Sequence, residues 1–160
     1  MSRSLAALVL AALWLGASLI TITVVAPGAF AVLPTRAMAG DMVGRVLPVV
    51  FGSAIAVHLV VLLVAPLVRR HPLAAAAAVI AALAAAGALF GVDPRIAALR
   101  AAIVVPIDQL PPGDPRRAMF GLLHAISVGL LGVAMLANAG LLVVLSRAIV
   151  GRAPSSGEPR

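Results

Sequence analysis

"VLPVVFGSAIAVHLVVLLVAPLVRRHPLAAAAAVIAALAAAGALFGV", residues 46–92, holds two stretches free of Asp, Glu, Lys and Arg, Val46–Val68 and Pro72–Val92, joined through the turn "RRHP" at 69–72. Each stretch reaches the roughly 20 residues that a helix rising about 1.5 Å per residue needs to cross about 30 Å of hydrocarbon. A joint this short forces the two helices side by side and antiparallel. The chain therefore contains a hairpin built for lipid.

Two more such windows flank it. Ser4–Thr35 follows Arg3, and Ala118–Ser146 lies between Arg117 and Arg147. The first exceeds the apolar core of about 7–15 residues of a cleaved secretory signal, so it reads as a first span. Strands are excluded because the in/out alternation of a membrane barrel is missing, and lipid leaves the backbone only internal partners. The fold class expected is all-α: an integral membrane bundle of four transmembrane helices over residues 1–150, with a short interfacial segment between helices 3 and 4 and a disordered cytoplasmic tail at 151–160.

Composition agrees. Of 160 residues 63% are apolar and 11% charged, far from the balance of soluble domains. The net charge of +7 comes from arginines at the ends of apolar runs, not from a basic face interleaved with aromatics, so nucleic acid is not an expected partner. The absence of cysteine excludes thiol nucleophiles and thiolate metal sites. Nor does the sequence hold an HExxH, a Gly-rich phosphate loop or a recognisable Ser/His/Asp set.

Local punctuation places the boundaries. "APG" at 26–28 is expected to end the first helix, with a loop near residues 29–44 behind it and Pro48 in the first turn of the second helix. Pro66 should kink or stop that helix early. In the connection 93–117, Ile96, Leu99, Ile103 and Ile107 recur at helical spacing, with Arg100 on the same face, suggesting an interfacial helix broken at Pro106. Arginines divide evenly between the two sides, six and six. Those nearest the termini and the tight turn, where short flanks weigh most, favour both termini in the cytoplasm.

Few residues are equipped for chemistry. At about 100° per residue, His124, Ser127 and Asn138 share one stripe of the fourth helix, with Ser127 near −60° and Asn138 near −40° from His124. Such a stripe serves either as interhelical hydrogen bonding or as a polar pocket inside the bundle. His124 is expected to face the interior just beneath the outer interface. His58, in the second span, sits roughly 9 Å deeper, which does not suit shared ligation of one metal ion, so no metal site is expected. His58 and His124 remain the candidates for holding different parts of a larger cofactor. Trp14, Ser18, Thr21 and Val25 form a stripe on the first span that reads as packing. Met38 and Met42 bracket Asp41 as a membrane-facing pair, and "GALFG" at 87–91 is a small-xxx-small pattern that points to close helix approach at Gly91.

"LWLG" at 13–16, Pro27, Phe30, Leu33, "AG" at 39–40, Phe51, "IAALR" at 96–100 and "FGLLHAIS" at 120–127 together resemble the bacterial members of the transmembrane protein 205-like domain of unknown function. The resemblance spans about residues 5–147. Its most specific part is Phe120, Leu123, His124 and Ser127; the chain departs from the pattern at Gly121 and Leu122 and in an Asn displaced to Asn138. It implies four spans, a multi-pass place in the bacterial inner membrane and no agreed activity. More distantly it implies a likeness to copper-resistance D-like proteins and HemJ-type protoporphyrinogen oxidases.

Three functions follow as expectations. The first is a non-enzymatic accessory or small-solute-handling bundle without a cofactor, whose partners are the lipid bilayer and a second copy or another membrane protein. The others are a haem- or copper-binding protein using His58 and His124, and a HemJ-like membrane oxidoreductase.

Overall fold

The computed structural model describes residues 2–151, so the expected disordered tail lies almost wholly outside the described residues. The helices are α1 (Ser2–Ile20), α2 (Ala26–Val32), α3 (Arg36–Val64), α4 (Pro66–Arg70), α5 (Pro72–Ala86), α6 (Asp93–Ala101) and α7 (Pro115–Val150). Wide π turns at Thr21–Val25 and Gly87–Val92 join α1 to α2 and α5 to α6 into continuous rods. Four rods are long and apolar enough to cross a membrane: Arg3–Val32, Arg36–Val64, Pro72–Ala101 and Pro115–Val150. No strand occurs among the described residues.

Proline accounts for most departures from expectation. "APG" does not end the first helix, which runs on to Val32. Pro27 has no N–H, and its ring crowds the carbonyl four residues back; the π turn directly before it opens the ladder enough to pass. The same device precedes Pro94, so the third span passes "DP" and reaches Ala101. There Asp93 N–H donates to Ala88 O, five residues back. The interfacial helix expected after residue 93 is therefore the end of the third span, and the connection shrinks to 102–114.

The loop expected near 29–44 is likewise only residues 33–35. Thr35 caps α3, its hydroxyl accepting from Met38 N at 3.2 Å, which places Pro48 in the helix interior instead of its first turn. Pro66 acts as expected: α3 stops at Val64, Ala65 is extended, and α4 turns the chain into the hairpin.

The third span packs between the second and the fourth. It does so through a stripe of alanines, Ala74, Ala78, Ala81, Ala85 and Ala88, all buried at alternating spacings of four and three. Since lipid tails are as apolar as leucine, burying bulk gains little in a membrane, and small residues let backbones approach. The larger side chains point outward accordingly, among them Leu13, Leu63, Leu83, Phe90 and Leu136. The close approach expected at Gly91 is not made there: a Cβ at Gly91 meets open space, whereas one at Gly87 comes to 3.7 Å from Leu130 Cδ1. Close packing rests on the alanine stripe.

At the start of α7, Asp114 accepts from Arg116 N at 2.8 Å and pairs with the Arg116 guanidinium at 2.6 Å. That neighbour holds the Asp114 carboxyl down from the ordinary 3.8 to about 2. A depressed carboxyl favours the folded cap above its ordinary pKa and loses that contribution as pH falls through the lowered value.

Two outcomes follow from this packing. Ala85→Leu forces bulk into a fully buried position and should destabilise the bundle by about 1–3 kcal/mol in detergent unfolding, whereas Gly91→Leu should leave it unchanged. The Asp114 carboxyl followed by NMR should titrate near 2 and return toward 3.8 in Arg116→Ala.

Candidate functional site

Two apolar clusters fill the bundle. One gathers Trp14, Phe51, Ala54, Ala85, Leu131 and Met135; the other gathers Ala7, Ala11, Val61, Ala78, Leu141 and Leu145. In sequence, His58 falls between Ala54 and Val61, and Asn138 between Met135 and Leu141. Both side chains are 0% exposed. A polar layer thus divides the core.

Its bonds join three spans. His58 Nδ1 lies 2.7 Å from Ala54 O, one turn back on α3, and His58 Nε2 lies 3.0 Å from Asn138 Oδ1 on α7. Asn138 Nδ2 donates to Ala11 O on α1 at 2.9 Å. Trp14, one turn further along α1, donates its indole N–H to Val50 O on α3 at 3.1 Å, and its ring stands edge-to-face against His58, centroids 5.3 Å apart. Ser53 donates to Val50 O as well, at 2.9 Å, so that carbonyl takes two side-chain donors. Ser18 donates to Trp14 O at 2.9 Å and stays within its own helix.

The expected stripe divides. Asn138 and Ser127 are buried, Ser127 at 1% exposure and without a hydrogen-bond partner. His124 is exposed, its ring stacked on Phe120 one turn back with centroids 6.1 Å apart. Its helical phase lies near the edge of the stripe, and the helix faces the bundle on the Ser127–Asn138 side. His124 also precedes Asn138, the partner of His58, by fourteen residues of α7, which is about 21 Å along the helix axis. The structure does not bring the two histidines together.

A second polar group, at the far end of the bundle, is one that sequence reasoning does not assemble. Arg100 reaches from α6 to Asp41 on α3, Nη1 to Oδ1 at 2.6 Å, and its guanidinium stands 5.4 Å from the centre of the Phe120 ring on α7. It crosses α3 where Gly40 and Gly44 leave room: a Cβ on Gly40 would sit 3.0 Å from Arg100 Nη2. The signals in the sequence are an arginine on an apolar face and two glycines one turn apart. Asp41 thereby spends its charge on Arg100, while Met38 and Met42 beside it are exposed. Among the described residues, no three His, Asp or Glu side chains gather as a metal site would require.

Four membrane-length helices, three of them tied across their midst by imidazole, amide and indole, define a multi-pass helical membrane protein. The chain belongs to the family described as a domain of unknown function (DUF4149), whose pattern matches residues 9–104. The match takes in Trp14, His58 and Arg100 and stops before the fourth span, so Asn138 and "FGLLHAIS" lie beyond it. No curated protein matches the chain, and no solved structure does.

His58→Leu and Asn138→Leu each leave a buried partner unpaired and should each cost about 1–2 kcal/mol. Because they break the same bond, the double variant should lose less than the two singles together. His124→Leu, on the exposed face, should change stability by less than about 0.5 kcal/mol.

Proposed function

We propose that the chain works as a non-enzymatic membrane bundle, an accessory or small-solute-handling protein of the bacterial inner membrane with both termini in the cytoplasm. One observation supports this above the others: the polar groups at the centre of the bundle are spent on one another. Both nitrogens of His58, the amide of Asn138 and the indole N–H of Trp14 already face protein oxygens at 2.7–3.1 Å. A ligating histidine must present a bare ring nitrogen to its metal with space in front of it, and here a protein oxygen stands within 3.0 Å of each ring nitrogen. The reading therefore puts the protein's work in its association, with a second copy or another membrane protein, and leaves the interior as the lock that keeps the helices in place.

Purified protein should show no Soret band and no stoichiometric copper. A haem or copper content near one per chain, abolished by His58→Ala, would overturn the reading. Reporter fusions at Arg70 and Asp108 should report opposite sides of the membrane, Arg70 on the cytoplasmic one.

A further inference from the structure

The junction at His58 contains more acceptors than a neutral imidazole can serve. Three oxygens converge on it: Ala54 O on Nδ1 at 2.7 Å, Asn138 Oδ1 on Nε2 at 3.0 Å, and Ala11 O on the other end of the Asn138 amide at 2.9 Å. A neutral imidazole carries one N–H, and an amide is a donor at one end only.

Every neutral arrangement leaves two acceptors face to face. With the proton on Nδ1 and the amide as described, the Nε2 lone pair meets Asn138 Oδ1. Turning the amide over lets Nδ2 donate to Nε2, but then Oδ1 meets Ala11 O, whose partners are helical N–H groups. With the proton on Nε2, the Nδ1 lone pair meets Ala54 O, whichever way the amide points. Only an imidazolium, with an N–H on each nitrogen, gives all three oxygens a donor.

We propose that the His58–Asn138 junction is a proton-binding site whose occupancy decides whether the first span is tied to the fourth. Uptake of one proton from water forms the second ring N–H bond and adds one positive charge. The chain of bonds Ala54, His58, Asn138, Ala11 then runs unbroken across α3, α7 and α1. Release of the Nε2 proton keeps the shorter Nδ1 bond to Ala54 O and turns the Asn138 amide toward the bared Nε2; the amide oxygen then pushes against the Ala11 carbonyl, so α1 loses its tie at this level. The proton is the ligand, and the amide is the moving part.

No other titratable side chain takes part. Around the junction α1 offers Trp14, Ala11 and Ser18, α5 offers the alanine stripe, α3 offers Ala54 and Val61, and α7 offers Met135 and Leu141. The charged residues of these rods are Arg3, Arg36, Asp41, Arg45, Asp93, Arg95, Arg100, Arg116, Arg117 and Arg147. The nearest of them along a helix, Arg3 from Ala11 and Arg147 from Asn138, stand eight and nine residues away, about 12 Å or more, and Arg69 of α4 turns its guanidinium to Leu63 O on the exposed side of α3, five residues from His58. Trp14, edge-to-face at 5.3 Å, is the aromatic neighbour of the ring.

The inference rests on the reading of the interior as an interhelical lock. Full-length protein with 15N-labelled histidine, in phosphatidylcholine vesicles, is followed by solid-state NMR across about pH 4 to 9. His58 should pass from two ring N–H groups to one, and the Asn138 side-chain amide should shift with it. His71→Gln and His124→Gln, which identify the other two histidines, should leave this transition in place. The chain has no cysteine, so spin labels at Leu13→Cys and Leu136→Cys report the α1–α7 distance alone. That distance should gain a longer population as pH rises, and His58→Gln should abolish the response. An unchanging His58 protonation state in the wild type, or a distance response that survives His58→Gln, overturns the proposal. Metal or haem bound at His58 would instead overturn the reading of the interior as a lock, so the two failures are told apart.

Discussion

A side-chain amide on α7 that reaches across to a backbone carbonyl of α1 is the bond on which the rest of the bundle depends. In lipid there is no water to take over a polar group that loses its partner, and no gain from burying apolar bulk between helices. Asn138 therefore does what a leucine core does in a soluble bundle: it fixes which helices are neighbours and at what height. Held at one end by His58 and at the other by Ala11, it leaves the two apolar clusters above and below to settle around it. The alanine stripe of the third span brings the backbones close enough for such short side chains to meet.

The charged end of the bundle follows a different logic. Arg100 is partly exposed, and its bond to Asp41 is of the kind that contributes little by itself. Its contribution is positional, because the guanidinium touches α3 through Asp41 and α7 through Phe120 while lying over Gly40, where a Cβ would press against it at 3.0 Å. The two ties are complementary. One is buried and directional at the core, the other electrostatic and wet at the rim.

Much of the fold is legible in the sequence because length and absence of charge are all that a span requires. The hairpin at "RRHP" and the stop at Pro66 follow from chain geometry alone. The helix end expected at "APG" falls in the wrong place because the rule that proline breaks a helix belongs to water, where a freed backbone group is solvated; in lipid the ladder widens into a π turn and continues. The third span likewise runs past the boundary that the charge of Asp93 suggested. That His58 and Asn138 lie inside is consistent with their helical phase, but their meeting across 80 residues of chain depends on the relative heights of two helices, which periodicity does not encode. His124 fails for the reciprocal reason. Its phase is nearly right, yet near the end of a 36-residue helix the neighbours no longer cover that face.

The π turn at Gly87–Val92 has a consequence for how this chain can vary. Such a turn is one residue inserted into an α-helix, and one residue corresponds to about 100° of rotation. The third span is therefore two helical segments with an angular offset between them: the first segment aims its alanines at the neighbours, and the second aims Arg100 at α3. Deleting a single residue there would leave hydropathy, charge and span length almost untouched while turning every residue beyond it by more than a quarter turn. The segment acts as a phase-setting element, and its length carries information that its composition does not.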